Sequence, residues 1–256
     1  MDSISYADNQ ATLSVDESWL QGRSMFGGLQ AALCVKAMRT LAGESIPLRT
    51  LQFTFMAPIP AGNTKAIAEL LRSGKNTRHV QAKIVGENNQ VMAIAMGVFG
   101  EPRDSLLQRD LQPRNIESTS EKEFKFIPGV TPNFTQHFDA VWLYGGLPFS
   151  GQTLPEIVVD VSMKDDGLCS EAHFLAIADF VPPVALSLLS QPVPGSSLTW
   201  MLEFLDDDYF DQPLQHWRVE AEMVAANAGY TSQTVTLFAP NQKAIALSRQ
   251  SMVVFG

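Results

Sequence analysis

The sequence predicts an α+β fold: two tandem copies of one unit, each a curved antiparallel sheet wrapped around a single central helix. Three observations lead there. A helix followed by four strands occurs twice in the chain, the two occurrences echo one another in letters, and the segment between them is polar and proline-bearing. A repeat of this kind constrains the architecture before any single element does.

In the first copy, residues 19–23 read as a short strand leading into Phe26-Gly27-Gly28, after which Leu29, Leu33, Ala37 and Leu41 keep a helical spacing. Gly43 ends the run, as a glycine just past a helix often does. Four strand-like segments follow at about 48–57, 65–73, 77–86 and 90–99, separated by turn-rich stretches at 58–62, 73–75 and 86–89. The second copy repeats the order: a strand at about 156–163, a helical stretch at 170–189, then strands at about 197–205, 216–226, 229–239 and 243–255. NNQVMAIAM (88–96) faces PNQKAIALS (240–248), FTFMAPIP (53–60) takes the slot of EFLDDDYF (203–210), and each copy ends in VFG, at 98–100 and 254–256. The expected division is therefore an N-terminal unit at 1–100, a partly ordered connector at 101–136 holding Pro102, Pro113 and ESTSEKEFK, and a C-terminal unit at 137–256. One helix with four consecutive antiparallel strands packs by lying in the concave face of their sheet. That is the hotdog fold, and two copies make a double hotdog. An unrelated pair of α+β domains would leave the repeat unexplained.

Composition narrows the function. With 256 residues, 45% hydrophobic and 18% charged, the chain can bury a core in each unit. Two cysteines exclude a disulfide scaffold, and no Cys/His cluster implies a metal. No run reaches the roughly 18 apolar residues of a membrane span, and residues 1–20 show neither a basic start nor an apolar core, so the expectation is a soluble, cytoplasmic protein. A net charge of −9 argues against nucleic acid as a partner. The charge is uneven: residues 1–100 carry nine Lys/Arg against seven Asp/Glu, the remainder nine against twenty. Arg72, Lys75, Arg78 and His79 form the densest basic stretch, to which an anionic ligand would be steered, with Arg72, Lys75 and Arg78 the candidates for the phosphates of CoA; the plainer reading is a solvated hairpin tip.

Resemblance to hotdog enzymes implies two half-sites, a helix start often bearing a Gly-Gly pair and a carboxylate about two turns along the helix of the opposite copy. The two copies differ at both. The first has Phe26-Gly27-Gly28 at its helix start, but seven residues beyond Gly28 stands Val35. The second has Asp179 in FLAIADFV, seven residues beyond Ala172, and no glycine pair. A helix start offers unpaired N–H groups and the positive end of the helix dipole, suited to an oxyanion, while a carboxylate can orient or deprotonate water. Each copy lacks what the other keeps, which leaves one composite site. The competing reading makes Asp179 a turn cap before Pro182-Pro183. Gln250, on the same strand face as Ser248 and Met252, is suited to hold a water; alone it reads equally as a solvent-facing residue. A hydroxyl comes from Ser197 or Thr199, which strand alternation puts on one face. Cys34 and Cys169 read as packing residues.

GRSMFGGLQAAL (22–33), LQFTFMAPIPAG (51–62), FLAIADFVPPVAL (174–186) and ALSRQSMVVF (246–255) resemble the acyl-CoA thioesterase II-like family of double-hotdog proteins over nearly the whole chain. The resemblance implies hydrolysis of acyl-CoA to free acid and CoA without a cofactor or metal. It assigns Asp179, Ser197 and Gln250 to the attacking water, and leaves room for homo-oligomers, because hotdog sheets often pair further. The family often has Leu-Asp-His-Ser after its hydroxyl; here Leu198-Thr199-Trp200-Met201 stands instead, a departure bearing on substrate preference. Two rivals follow. A non-catalytic acyl-CoA or acyl-carrier binding protein would keep the pocket and lose the chemistry. A double-hotdog enoyl-CoA hydratase would need an Asp/His pair, for which Asp166 and His173 have the wrong spacing.

Overall fold

The structure, a computed structural model, describes residues 3–116 and 121–255; the first two residues, 117–120 in the connector's charged run and the final glycine of the second VFG lie outside the described residues. The chain opens with two strands absent from the sequence expectation, β1 (Ser5–Ala7) and β2 (Gln10–Val15). Ala11, Leu13 and Val15 point inward while Gln10, Thr12 and Ser14 face outward, a period-2 pattern only six residues long. A two-stranded ribbon, β3 (Leu20–Gln21) and β4 (Ser24–Met25), then delivers the chain to α1 (Gly27–Ala42). Strands β5 (Leu48–Phe55), β6 (Gly62–Ser73), β7 (Thr77–Val85) and β8 (Val91–Gly100) complete the first copy close to their expected limits.

The connector contributes β9 (Lys122–Phe124), which pairs with β10 (Phe138–Tyr144). Arg114, also in the connector, is bound to Glu156 and, at 3.1 Å, to Glu220. The second copy continues with β11 (Glu156–Met163), α2 (Glu171–Ala178), α3 (Ala185–Leu188), β12 (Gly195–Phe204), β13 (Trp217–Asn227), β14 (Tyr230–Phe238) and β15 (Ala244–Val254). The single helical stretch expected at 170–189 is two helices. Pro182 and Pro183 supply no N–H and restrict the residues before them, so α2 stops at Ala178 and only one turn forms beyond.

All thirteen main strands form one antiparallel sheet in the order β1-β2-β6-β7-β8-β5-β12-β15-β14-β13-β11-β10-β9. Outward from the β5–β12 seam, β8, β7, β6 and β2 on one side answer β15, β14, β13 and β11 on the other. The letter repeat is thus a structural repeat, two hotdog units fused edge to edge. At the seam Leu51 opposes Leu202 and Phe53 opposes Trp200, all four buried. α1 lies on β6 and β7 and against α2. That position accounts for its having almost no polar face: Leu29, Ala32, Leu33, Val35 and Met38 are all at most 3% exposed. Its end is set by Gly43, whose φ of 88° is the left-handed conformation that glycine adopts without strain.

A buried ion pair spans the helices. Arg39 of α1 donates to Glu171 of α2 from Nε (2.9 Å) and Nη2 (2.5 Å), and from Nη1 to the carbonyls of Gly43 and Ile46. Burial lowers the guanidinium pKa, but the Glu171 hydrogen bonds and charge outweigh it and leave the group raised. No helix of the described residues is long and apolar enough to cross a membrane.

Candidate active site

α1 begins at Gly27 with Phe26 as its cap residue, and Phe26 has no side-chain capping hydrogen bond to offer. The partner for its leading amides comes from the other copy. Asp179 is the cap at the C-terminal end of α2, as the turn reading expected, and its carboxylate also reaches the start of α1. The Gly28 N–H faces it and favours its ionised form, and Gln250 Nε2 donates to Oδ1 at 2.8 Å. Burial pushes the Asp179 carboxyl up to about 7, while the Gln250 and Gly28 donors favour the ionised form and pull the other way. The residue as a whole is half-buried, but its carboxyl end points inward, between the start of α1 and Gln250.

Both glycines are explained by this approach. A Cβ on Gly27 would stand 2.5 Å from Asp179 Oδ2, and a Cβ on Gly28 would stand 2.8 Å from Ala176 Cα and Leu175 O. Gly28 thus clears space for the backbone of α2. Gly28→Ala should push the helices apart, with a stability loss of about 1–3 kcal/mol in chemical denaturation and a weakened Asp179 contact. Unchanged stability would count against the packing account. Phe26 is fully buried and stacks on Phe134 with ring centroids 3.9 Å apart.

Gln250 is inward-facing, as alternation predicts, with Ser248 and Met252 buried beside it. It lies in a row across the sheet: Gln233 on β14, Gln250 on β15, Trp200 on β12 and Phe53 on β5 are in register. The Trp200 indole N–H donates to Ser248 Oγ at 2.8 Å, so the residue that departs from the family pattern fills the space next to Gln250. The pairing of Ser197 and Thr199 on one face fails. The register of β12 on β15 shifts between them: Ser197 opposes Met252, on the Gln250 face, and Thr199 opposes Ser251, on the other. A bulge adds one residue and inverts the alternation beyond it. Thr199 is exposed and Ser197 half-buried, and among the described residues neither hydroxyl bonds Asp179 or Gln250.

Gln233 was missed by sequence reasoning. It is 1% exposed, its Oε1 accepts from Val184 N–H at 2.9 Å and its Nε2 donates to Gln250 Oε1 at 3.2 Å. The available signal was an amide at an inward register of β14, between Thr231 and Val235.

The mate of this site, at the start of α2, differs in both halves. Ser170 and His173 form a reciprocal capping box that closes the helix start, and Val35 stands where the acid would be. A cavity of about 300 Å³ lies there, lined among others by Ala32, Val35, Lys36, Glu171 and Ala172. His173 is thus a helix-start residue, and its Nε2 faces Asp165 at 3.2 Å rather than Asp166.

The basic stretch lies at the opposite end of α1, whose sixteen residues span roughly 24 Å. Arg72 and Lys75 are exposed at the β6–β7 tip. Arg78 donates to the carbonyl of Ala42, which makes it a cap for the end of α1. Cys34 and Cys169 are buried, burial pushing both thiols up, Cys169 to about 12.

Comparison with known proteins bears on the family and the fold. A family model described as the acyl-CoA thioesterase N-terminal domain matches residues 15–100, and one described as the acyl-CoA thioesterase C-terminal domain matches residues 113–254. Among solved structures, a hot dog-fold protein of unknown function from Alicyclobacillus acidocaldarius superposes with a TM-score of 0.87 at 19% identity, covering 99% of this chain and 96% of that one. The acyl-CoA thioesterase II TesB2 from Mycobacterium marinum follows at 0.74 and 14%, covering 98% and 95%. The tesB protein of Mycobacterium avium subs paratuberculosis gives 0.76 and 11%, covering 99% and 96%. None of the curated proteins matches the sequence.

Proposed function

From the acyl-CoA thioesterase family, to which this chain belongs, we propose that it hydrolyses acyl-CoA thioesters at one composite site, through a water activated by Asp179. The observation that carries the reading is the meeting of the Asp179 carboxylate, from one copy, with the leading amide of α1, from the other. In the free protein the Gly28 N–H faces Asp179. An arriving thioester carbonyl takes over that donor, which then stabilises the developing oxyanion, with Gly27 beside it. Loss of the donor raises the basicity of Asp179 at the moment it must accept a proton. Water adds its oxygen to the carbonyl carbon and gives its proton to Asp179, the C–S bond breaks, and the proton passes to the departing CoA thiolate. Gln250 steadies Oδ1 throughout. Ser197, on the Gln250 face, is the hydroxyl assigned to the water, and Thr199 has no part.

Incubation with a panel of acyl-CoAs and a thiol reagent tests the reading. Hydrolysis releases free CoA, a hydratase consumes enoyl-CoA without release, and a binding module does neither. Ser197→Ala should lower the release rate by about tenfold, one oriented hydrogen bond's worth, and Thr199→Val should leave it unchanged. The reverse pattern would remove Ser197 from the site.

A further inference from the structure

We infer that Gln233 is a positioning residue, fixing which end of the Gln250 amide faces Asp179; this rests on the hydrolytic reading above. An amide side chain has a donor end and an acceptor end, and the two are nearly the same shape. What selects between them here is a group that cannot invert. Val184 follows Pro182-Pro183, and its backbone N–H can only donate; it meets Gln233 Oε1 at 2.9 Å. Gln233 must then turn its NH₂ towards Gln250, whose Oε1 accepts at 3.2 Å. Gln250 in turn must turn its own NH₂ towards Asp179, at 2.8 Å. Flipping either amide sets like ends against each other at two contacts. Gln233 and Gln250 are only 1% and 7% exposed, so water cannot readily compensate.

The proline break thereby acquires a purpose. It ends α2 at Asp179 and leaves, five residues on, an N–H free to anchor a relay that returns to the same carboxylate. Asp179 is met by Gly27 and Gly28 from α1 and by Gln250 from β15, and among the described residues no charged side chain contributes to its shift. The polarity of the Gln250 amide is therefore the main control on the charge of Asp179 from the sheet side.

Two variants and one measurement on the unaltered protein test the relay. In Gln233→Glu, a carboxylate can still accept from Val184 but offers Gln250 only an acceptor, turning the Gln250 oxygen towards Asp179. Turnover should fall about tenfold with KM nearly constant, and the midpoint of the rate–pH profile should rise by about one unit, each the equivalent of one hydrogen bond. Gln233→Leu should lower kcat similarly, with a smaller change in the midpoint. Folded variants with wild-type kcat and midpoint overturn the proposal. If neither variant folds, the side-chain amide NMR signals of Gln233 and Gln250 in the wild-type protein, followed from pH 5 to 9 without substrate, decide. Both sets should move together at the Asp179 midpoint; a Gln233 signal that does not respond overturns the relay. Signals that move together in a protein releasing no CoA would instead refute the hydrolytic reading and leave the relay standing.

Discussion

Asp179→Asn should reduce CoA release by roughly 10²–10⁴-fold, the usual cost of losing a positioned general base, and leave the protein folded. Asn keeps an oxygen for Gln250 but has no basic site for the water's proton. The wild-type rate should rise with pH around a midpoint near 7, because the ionised carboxylate is the active form and burial places its pKa at about 7. The same shift has a stability consequence of determinate sign. The folded pKa lies above the ordinary value of 3.8, so between about pH 4 and 7 the folded protein holds a proton that the unfolded chain has released. Stability from this group is greatest below that window and is lost as pH rises through it. At 1.36 kcal/mol per unit the loss is at most about 4 kcal/mol. Asp179→Asn should flatten this dependence, giving a nearly inactive protein whose melting temperature changes less than the wild type's between pH 5 and 8. Wild-type turnover by the variant would defeat the assignment; a wild-type stability that climbs across the window would defeat the electrostatic account.

Glu171→Ala should be the most damaging single change to stability away from the site, at about 3–5 kcal/mol. It strands Arg39, 3% exposed, without the carboxylate that takes two of its N–H groups, and removes the acceptor of the Tyr209 hydroxyl at 3.3 Å. The pair joins α1 to α2, the contact on which the Gly28–Asp179 meeting depends, so activity should fall with the folded population. Replacing both partners by apolar residues, Arg39→Met with Glu171→Leu, should recover much of the loss, since the expense lies in the unpaired buried charge. Urea denaturation of the three variants checks this. A single variant as stable as the wild type would show the pair to be dispensable.

The strand limits of β5 to β8 and β11 to β15 were legible because apolar alternation and turn residues are written locally. So was the difference in residue types between the copies: a glycine pair without an acid, and an acid without a glycine pair. The short β1, β2, β9 and β10 were not, because three to seven residues of mixed polarity carry too few periods to stand apart from a loop. Ser197 and Thr199 show the limit most clearly. Two residues apart implies one face only if the strand is regular, and whether it bulges is decided by the partner strand.

By itself the sequence determined the duplicated order of elements, the apolar character of α1 and the strand face that Gln250 shares with Ser248 and Met252. These depend on spacings of a few residues. The tertiary structure alone decided that Gly27 and Gly28 clear a path for α2 and Asp179, that Arg78 caps a helix, that the β12 bulge turns Thr199 outward, and that Gln233 stands behind Gln250. Each of those depends on groups brought together from distant parts of the chain, where a one-residue shift of register or an ångström of helix separation changes which atoms meet.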